Sequence, residues 1–431
     1  MLYDNLSVNS AGQLCFAGIN TVEMAKEYGT PLLVMDEAKI RSRCREYVAA
    51  MKTYLPEGSR PLYASKALSF KKIYKIMAQE NMGVDVVSSG ELYTAARAGF
   101  PMEQVFFHGN SKTDRDIAFA MDNGIGWFVC DNGDELNAID REAEKRQIRQ
   151  KILLRVAPGI DPHTHEKINT GRIDSKFGAS VDNGQAEQLV VLALQKKNVE
   201  LMGFHCHIGS QIFEPAPFCD ATVLMLRFIA KIRDRHGFCA GYLNLGGGMA
   251  VPYVKEQRKI NYTENIRLIG QTVEKACREF NLEAPAILME PGRSIVADAG
   301  VTLYQVTGTK KIPGFKNYVA INGGMTDNPR YILYQSDYTV LLASRMGDPV
   351  EGNWTVAGCC CESGDLIQEN VPLPEPYRGD ILAVLTTGAY NYSMASNYNR
   401  IPRPPVVMIG SNGPYVAVRR EKYEDLLNCD E

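Results

Sequence analysis

Lys66, in YASKAL, sits directly after an apolar run and between small residues. A lysine there is either a strand-end surface charge or a functional amine, and burial would lower its pKa enough to make it a Schiff-base nucleophile. Glu290 closes the apolar run AILM. It is a salt-bridged strand terminus or, set beside a pyridine nitrogen, a carboxylate that keeps that nitrogen protonated and the ring an electron sink. Gly246, Gly247 and Gly248 in LNLGGGMAVPY leave backbone N–H groups able to approach an anion, although a tight strand-to-helix turn looks the same. Arg293, in EPGR, is the cation such an anion would want. His205 and His207 in HCHIGSQ read as core histidines, as half of a metal site, or as a flat ring against a planar cofactor. No third ligand of suitable spacing is evident, so no metal is expected and ring stacking fits His207 best. Cys359, Cys360 and Cys361 are consecutive, which gives poor metal geometry, and no CxxC pair accompanies them; a thiol with a chemical task is the better reading.

Something must bring these residues together. Eight short β-prone runs, PLYAS, VDVVS, VFFH, GWFVC, KILLRV, LMGFHCH, YLNLG and AILME, recur between residues 61 and 290 with helix-like or polar stretches between them. That alternation predicts a TIM-type (β/α)8 barrel, in which functional residues gather at the C-terminal ends of the strands. Lys66 ends the first run, Asp85 and Ser88 follow the second, His108 the third, and Arg155 lies in the fifth. His205, His207 and Ser210 follow the sixth, the glycines the seventh, and Glu290 and Arg293 the eighth. One rim would collect them all. After about residue 295 the pattern changes to strand-like pieces without helical spacers, the signature of an antiparallel β-barrel or sandwich. The expected division is a strand-like segment 1–34 joining that β domain, a barrel over 35–292, and the β domain over 293–431.

The 431 residues are 45% hydrophobic and 23% charged, with a net charge of −3 and both signs interspersed. That gives no electrostatic footprint for nucleic acid or an anionic membrane. No basic and apolar leader opens the chain and no run of about 18 apolar residues occurs, so a cytoplasmic location is expected. Eleven scattered cysteines fit reduced thiols.

With Lys66, HCHIGSQ, GGG and EPGR in this order, the chain resembles the alanine racemase-like pyridoxal 5′-phosphate (PLP) enzymes. Within them it is similar to the decarboxylases for ornithine, arginine and diaminopimelate, most of all the last group. The similarity runs from about residue 30 to about 412 through VDVVSSGELYTAARAGF, FHGNSKT, HTHEKINTGRIDSKFG, HCHIGSQI, LNLGGG, EPGRSIVADAG, CESGD and SMASNYNRIPRP. It implies decarboxylation of meso-2,6-diaminopimelate to L-lysine and CO2 by a homodimer whose barrel-mouth sites are completed by the partner's β domain. It assigns Lys66 to the Schiff base with PLP, His207 to stacking on its ring and Glu290 to its pyridine nitrogen. Asp85, Ser210, Gly247, Gly248, Gly292, Arg293 and Tyr390 complete the cofactor residues, several of them around the phosphate. Cys361 of the partner is the implied proton donor to Cα, with Lys66 as the alternative. Arg293, Arg330 and Tyr334 would hold the substrate's distal carboxylate, which suits bidentate arginine, while Glu362 pairs with its distal ammonium and Tyr390 also meets the substrate.

Two departures touch substrate choice more than reaction type: Asn322 stands where the family commonly has an aspartate, and Tyr331 where proline is usual. Pro329 also biases Asn328 toward an extended conformation, which affects the reach of Arg330. Decarboxylation of another basic amino acid or a carboxylated polyamine is disfavoured by Arg330 with Glu362. A racemase would want an arginine at the pyridine nitrogen and a catalytic tyrosine, where this chain has Glu290 and Cys361. A silent binding homologue would be expected to have lost Lys66, Cys361 or the phosphate loop, and all are present.

Overall fold

The computed structural model describes residues 2–159 and 176–431; most of the HTHEKINTGRIDSKFG motif therefore lies outside the described residues. The chain divides into two compact units. One comprises Ser42–Ala250 and Ile260–Gly292, the other Met1–Arg41, Val251–Lys259 and Arg293–Glu431.

The first unit is a closed parallel barrel. Its strands are β1 (Arg60–Ala64), β2 (Gly83–Val86), β3 (Val105–Phe107), β4 (Trp127–Cys130), β5 (Gln150–Ala157), β6 (Val199–His205), β7 (Tyr242–Asn244) and β8 (Ala286–Met289). Neighbours pair in chain order, and β8 returns to β1 with Leu288 beside Arg60. All eight expected runs are barrel strands. Leu62, Phe106, Trp127, Val129, Leu153 and Leu288 pack together, and because only strands contribute to this cluster it is the barrel interior. Phe106 and Trp127 stack with centroids 4.9 Å apart. The turns after the early strands run into side-chain-capped helices: Ser88 caps Ser89–Ala98, Thr113 caps Asp114–Asp122 and Asn132 caps Gly133–Lys145. Such caps satisfy the first free N–H groups and fix where each rim loop ends.

The second unit is built on a nine-stranded sheet. Gly300–Lys311 is its long central strand: residues 301–305 pair antiparallel with Ile381–Leu385, and residues 306–311 with Asn317–Ile321. Most pairings are antiparallel, as expected, but Asn317–Ile321 runs parallel to Gly352–Ala357 and Leu32–Asp36 runs parallel to Val406–Gly410. Leu32–Asp36 is buried along its whole length and sits between Gly300–Lys311 and Val406–Gly410. The expected boundary at residue 34 would cut this strand, and the unit extends to Arg41 instead. Val251–Lys259 likewise falls with the sheet unit and not with the barrel. Leu14, Phe16, Leu32, Val34, Val301, Leu303, Leu385 and Val407 are part of the core that makes the N-terminal segment one body with the C-terminal strands. Among the described residues no helix is long and apolar enough to cross a membrane.

Candidate active site

Glu290 follows β8, and its N–H donates to Gly246 O (2.8 Å), fastening it to the glycine turn after β7. Asn244 Nδ2 donates to its Oε1 (2.7 Å), His108 Nε2 lies 2.9 Å from Oε1, and His205 Nε2 lies 3.2 Å from Oε2. Burial alone would raise the Glu290 pKa, but the two imidazoles outweigh it and hold the carboxyl well below its usual range. Burial pushes His205 down to about 4, so at neutral pH it is an uncharged ring that reaches the carboxylate through Nε2–H. His108 is the third donor absent from the sequence reading of a metal site: His108, His205 and Glu290 offer ligand atoms within 4.8 Å of one another. Both Glu290 oxygens are already met by His108, His205 and Asn244, so these three side chains hold the Glu290 carboxylate in place.

Asp85 lies next to the end of β2 and is buried, with Oδ1 lacking a hydrogen-bond partner. Burial pushes its pKa up to about 7, opposed by His108 and the Lys66 charge. Two carboxyls on one rim are thus driven apart, Glu290 ionised and Asp85 titrating in the neutral range.

Lys66 lies in the short turn Ser65–Ala67 after β1. A desolvated amine was expected; instead the side chain is exposed between the fully buried Ser65 and Ala67. Its charge acts on Asp85, Glu91 and His207. Glu91, unremarked in the sequence, receives Ser65 Oγ (2.7 Å) and Val87 N (2.8 Å) on one oxygen, which ties the lysine turn to the β2 loop. His207 is half-buried, and burial, aided by the Lys66 charge, lowers its pKa far enough to keep the ring neutral.

The glycine turn is built by close approach. A Cβ at Gly247 would lie 2.0 Å from Glu290 O, and one at Gly248 (φ +121°) would lie 2.2 Å from Gly209 O, beside Ser210. Gly246 N donates to Asn244 Oδ1 (2.8 Å), so Asn244 orients both the glycine turn and Glu290. Among the described residues the Gly247 and Gly248 N–H groups find no acceptor. Gly292 lies against Ala64 and Ala67. Free N–H donors beside Ser210, a neutral ring at His207, an ionised carboxylate and an amine on one rim fit a planar pyridine with a phosphate and an aldehyde.

In the second unit Arg293 and Arg330 are both buried and share the ring of Tyr390, their guanidinium carbons 4.7 and 5.3 Å from its centroid. Arg293 also donates to Tyr253 OH (2.6 Å), and Arg330 stands 4.6 Å over Tyr334. Among the described residues Arg330 makes no ion pair, and its Nε has no partner. A buried cation in an aromatic surround calls for an anionic ligand. Arg330 opens the short helix Arg330–Tyr334, with Pro329 as its cap, so the proline ahead of it sets a helix start. Tyr331 OH donates to Glu369 Oε2 (2.6 Å), and Asn322 donates to Thr30 and accepts from Gln305 N. Both departures from the family pattern are therefore engaged in holding loops. In the cysteine run Cys360 is buried and pushed up to about 12 by burial, whereas Cys361 and Glu362 are exposed.

Residues 37–297 match the family model described as pyridoxal-dependent decarboxylase, pyridoxal binding domain. Diaminopimelate decarboxylase of Bacillus subtilis is 42% identical over 424 residues, 98% of this chain and 96% of its own length. The crystal structure of diaminopimelate decarboxylase from M. jannaschii in co-complex with L-lysine superposes with a TM-score of 0.91 at 32% identity, covering 99% of this chain and 98% of that one. The Helicobacter pylori enzyme complexed with L-lysine gives 0.85 at 30% identity over 95% and 98%. The fold and rim define a PLP-dependent decarboxylase. The chain belongs, more narrowly, to the diaminopimelate decarboxylase family.

Proposed function

We propose that the rim holds PLP through Lys66 and that the chain decarboxylates meso-2,6-diaminopimelate to L-lysine and CO2, the closing step of lysine biosynthesis. The observation that carries this reading is Arg330: a buried guanidinium with no acid of its own among the described residues, set against Tyr334 and Tyr390, suits a carboxylate that the lysine and ornithine side chains do not have. PLP supplies a sink for the electron pair released when the Cα–carboxylate bond breaks. Glu290, kept ionised by His108, His205 and Asn244, holds the proton on the pyridine nitrogen. His207 offers a neutral ring to the face of the cofactor, and Ser210, Gly247 and Gly248 offer donors to the phosphate, with Asp85 and Gly292 shaping the floor around Lys66. Arg293 and Tyr390 supply further contacts for bound anions. Arg330 and Tyr334 read the distal carboxylate and Glu362 the distal ammonium.

Cys361 delivers the proton that replaces CO2 at Cα and regains it from solvent. The thiols of the barrel strands and rim support a donor from elsewhere, because Cys130 and Cys206 are buried and pushed well up by that burial. The functional unit is then a cytoplasmic homodimer in which the exposed Cys361 and Glu362 of one subunit serve the rim of the other. Adding PLP to the purified chain produces an absorbance band near about 420 nm that Lys66→Ala abolishes; a parent protein without that band, or a variant that keeps it, contradicts the assignment.

A further inference from the structure

Asp365 is a buried carboxylate that the cofactor and substrate roles leave unused. It closes the turn 358–365 that carries Cys361 and Glu362. Its oxygens accept from Cys360 N (2.8 Å) and from Met325 N (2.7 Å), so one carboxylate joins the thiol-bearing turn to the segment leading into Arg330. A glycine presses on it from each segment: a Cβ at Gly324 would lie 2.4 Å from Oδ2, and one at Gly358 would lie 2.2 Å from either oxygen. No larger residue allows that approach.

The two segments are joined again by Cys359 N to Gly323 O (2.9 Å), and the turn is closed on itself by Gly358 N to Asp365 O (2.8 Å) and Asp365 N to Glu362 O (3.1 Å). Cys361 N donates to Asn399 Oδ1 (2.8 Å). Cys360 is turned inward, leaving Cys361 exposed on the outer side of the turn. Burying a carboxylate is costly unless its hydrogen bonds are made, and the return on it here is a fixed backbone path.

We infer that Asp365 is a positioning residue: clamped between Gly324 and Gly358, its carboxylate holds the Met325 and Cys360 N–H groups and thereby presents the Cys361 thiol for proton delivery. The inference rests on the role proposed for Cys361. It is tested on the full-length PLP-loaded chain with Asp365→Asn, Cys361→Ala and the double variant, read by kcat at saturating meso-diaminopimelate and by the cofactor absorbance. Asp365→Asn is expected to keep the absorbance and lose at least about tenfold in kcat. The double variant should fall within about threefold of Cys361→Ala, because a group acting through the thiol has nothing to act on once the thiol is gone. An Asp365→Asn kcat within about twofold of the parent, or a double variant whose loss is the product of the single losses, overturns the inference while leaving the role of Cys361 standing. A Cys361→Ala enzyme with parental kcat overturns that role and the inference with it. Should Asp365→Asn not fold, Gly324→Ala, which pushes a methyl onto the same carboxylate without removing its charge, is read against Cys361→Ala by the same rule.

Discussion

At Glu290 burial favours the protonated acid, and Asn244, His108 and His205 reverse that preference on one side chain. At Asp327 burial wins: with Tyr304 OH and Gly324 N on its oxygens and Asp365 nearby, its pKa is pushed from 3.8 up to about 6. A raised folded-state pKa means that this group's contribution to stability is complete below its unfolded value and is lost as pH rises through about 6. Asp327→Asn removes the titration, so relative to the parent the variant should gain on the order of 2 kcal/mol between pH 4 and pH 8. Thermal melts of both proteins at the two pH values check this, and a difference that does not change with pH contradicts it. Arg330 and Glu362 follow no apolar run and entered only through the resemblance, whereas the rim candidates Lys66, Asp85, His207 and Glu290 were legible because each lies at or just after one. Their state was less so: Lys66 was expected to be desolvated and is exposed, since nothing in YASKAL tells which side of a rim turn faces outward. Asn244, Glu91 and Tyr253 acquire meaning only from partners remote in sequence, Glu290, Ser65 and Arg293, and each has a bland local reading.

The barrel strands were legible as elements because eight β-branched and aromatic runs recur with helical spacers, and the interior they fill admits little else. The sheet unit was harder to delimit. Leu32–Asp36 pairs with strands from the other end of the chain, so its place was invisible to local periodicity. Between strands the glycine turn is the element most sensitive to change. Gly247→Ala must push Glu290 O aside, which displaces the N–H groups proposed to meet the phosphate and the clamp on Glu290 together. PLP affinity should weaken by roughly 10- to 100-fold, on the scale of losing one or two charge-assisted hydrogen bonds. Titrating PLP against absorbance measures it, and unchanged affinity would mean that the phosphate binds elsewhere.

For the whole molecule the proposed sharing of sites between subunits makes a specific demand. If the thiol of one subunit serves the rim of its partner, Lys66→Ala and Cys361→Ala are each severely impaired alone but complementary when mixed. Statistical exchange then creates one competent site in half of the dimers, about a quarter of the parental activity. Recovery of activity in the mixture, followed by CO2 release, supports shared sites, and none after full exchange argues for sites complete within one chain.

The central proposal is that Arg330 reads the second amino-acid head of the substrate that this decarboxylase acts on. It is tested most directly by CO2 release from meso-diaminopimelate, L-lysine, L-ornithine and L-arginine under identical conditions. The structure predicts turnover of meso-diaminopimelate with kcat/KM above the others by about 10²-fold or more, the worth of one buried carboxylate–arginine pair. Equal or faster release from any of the other three would contradict it.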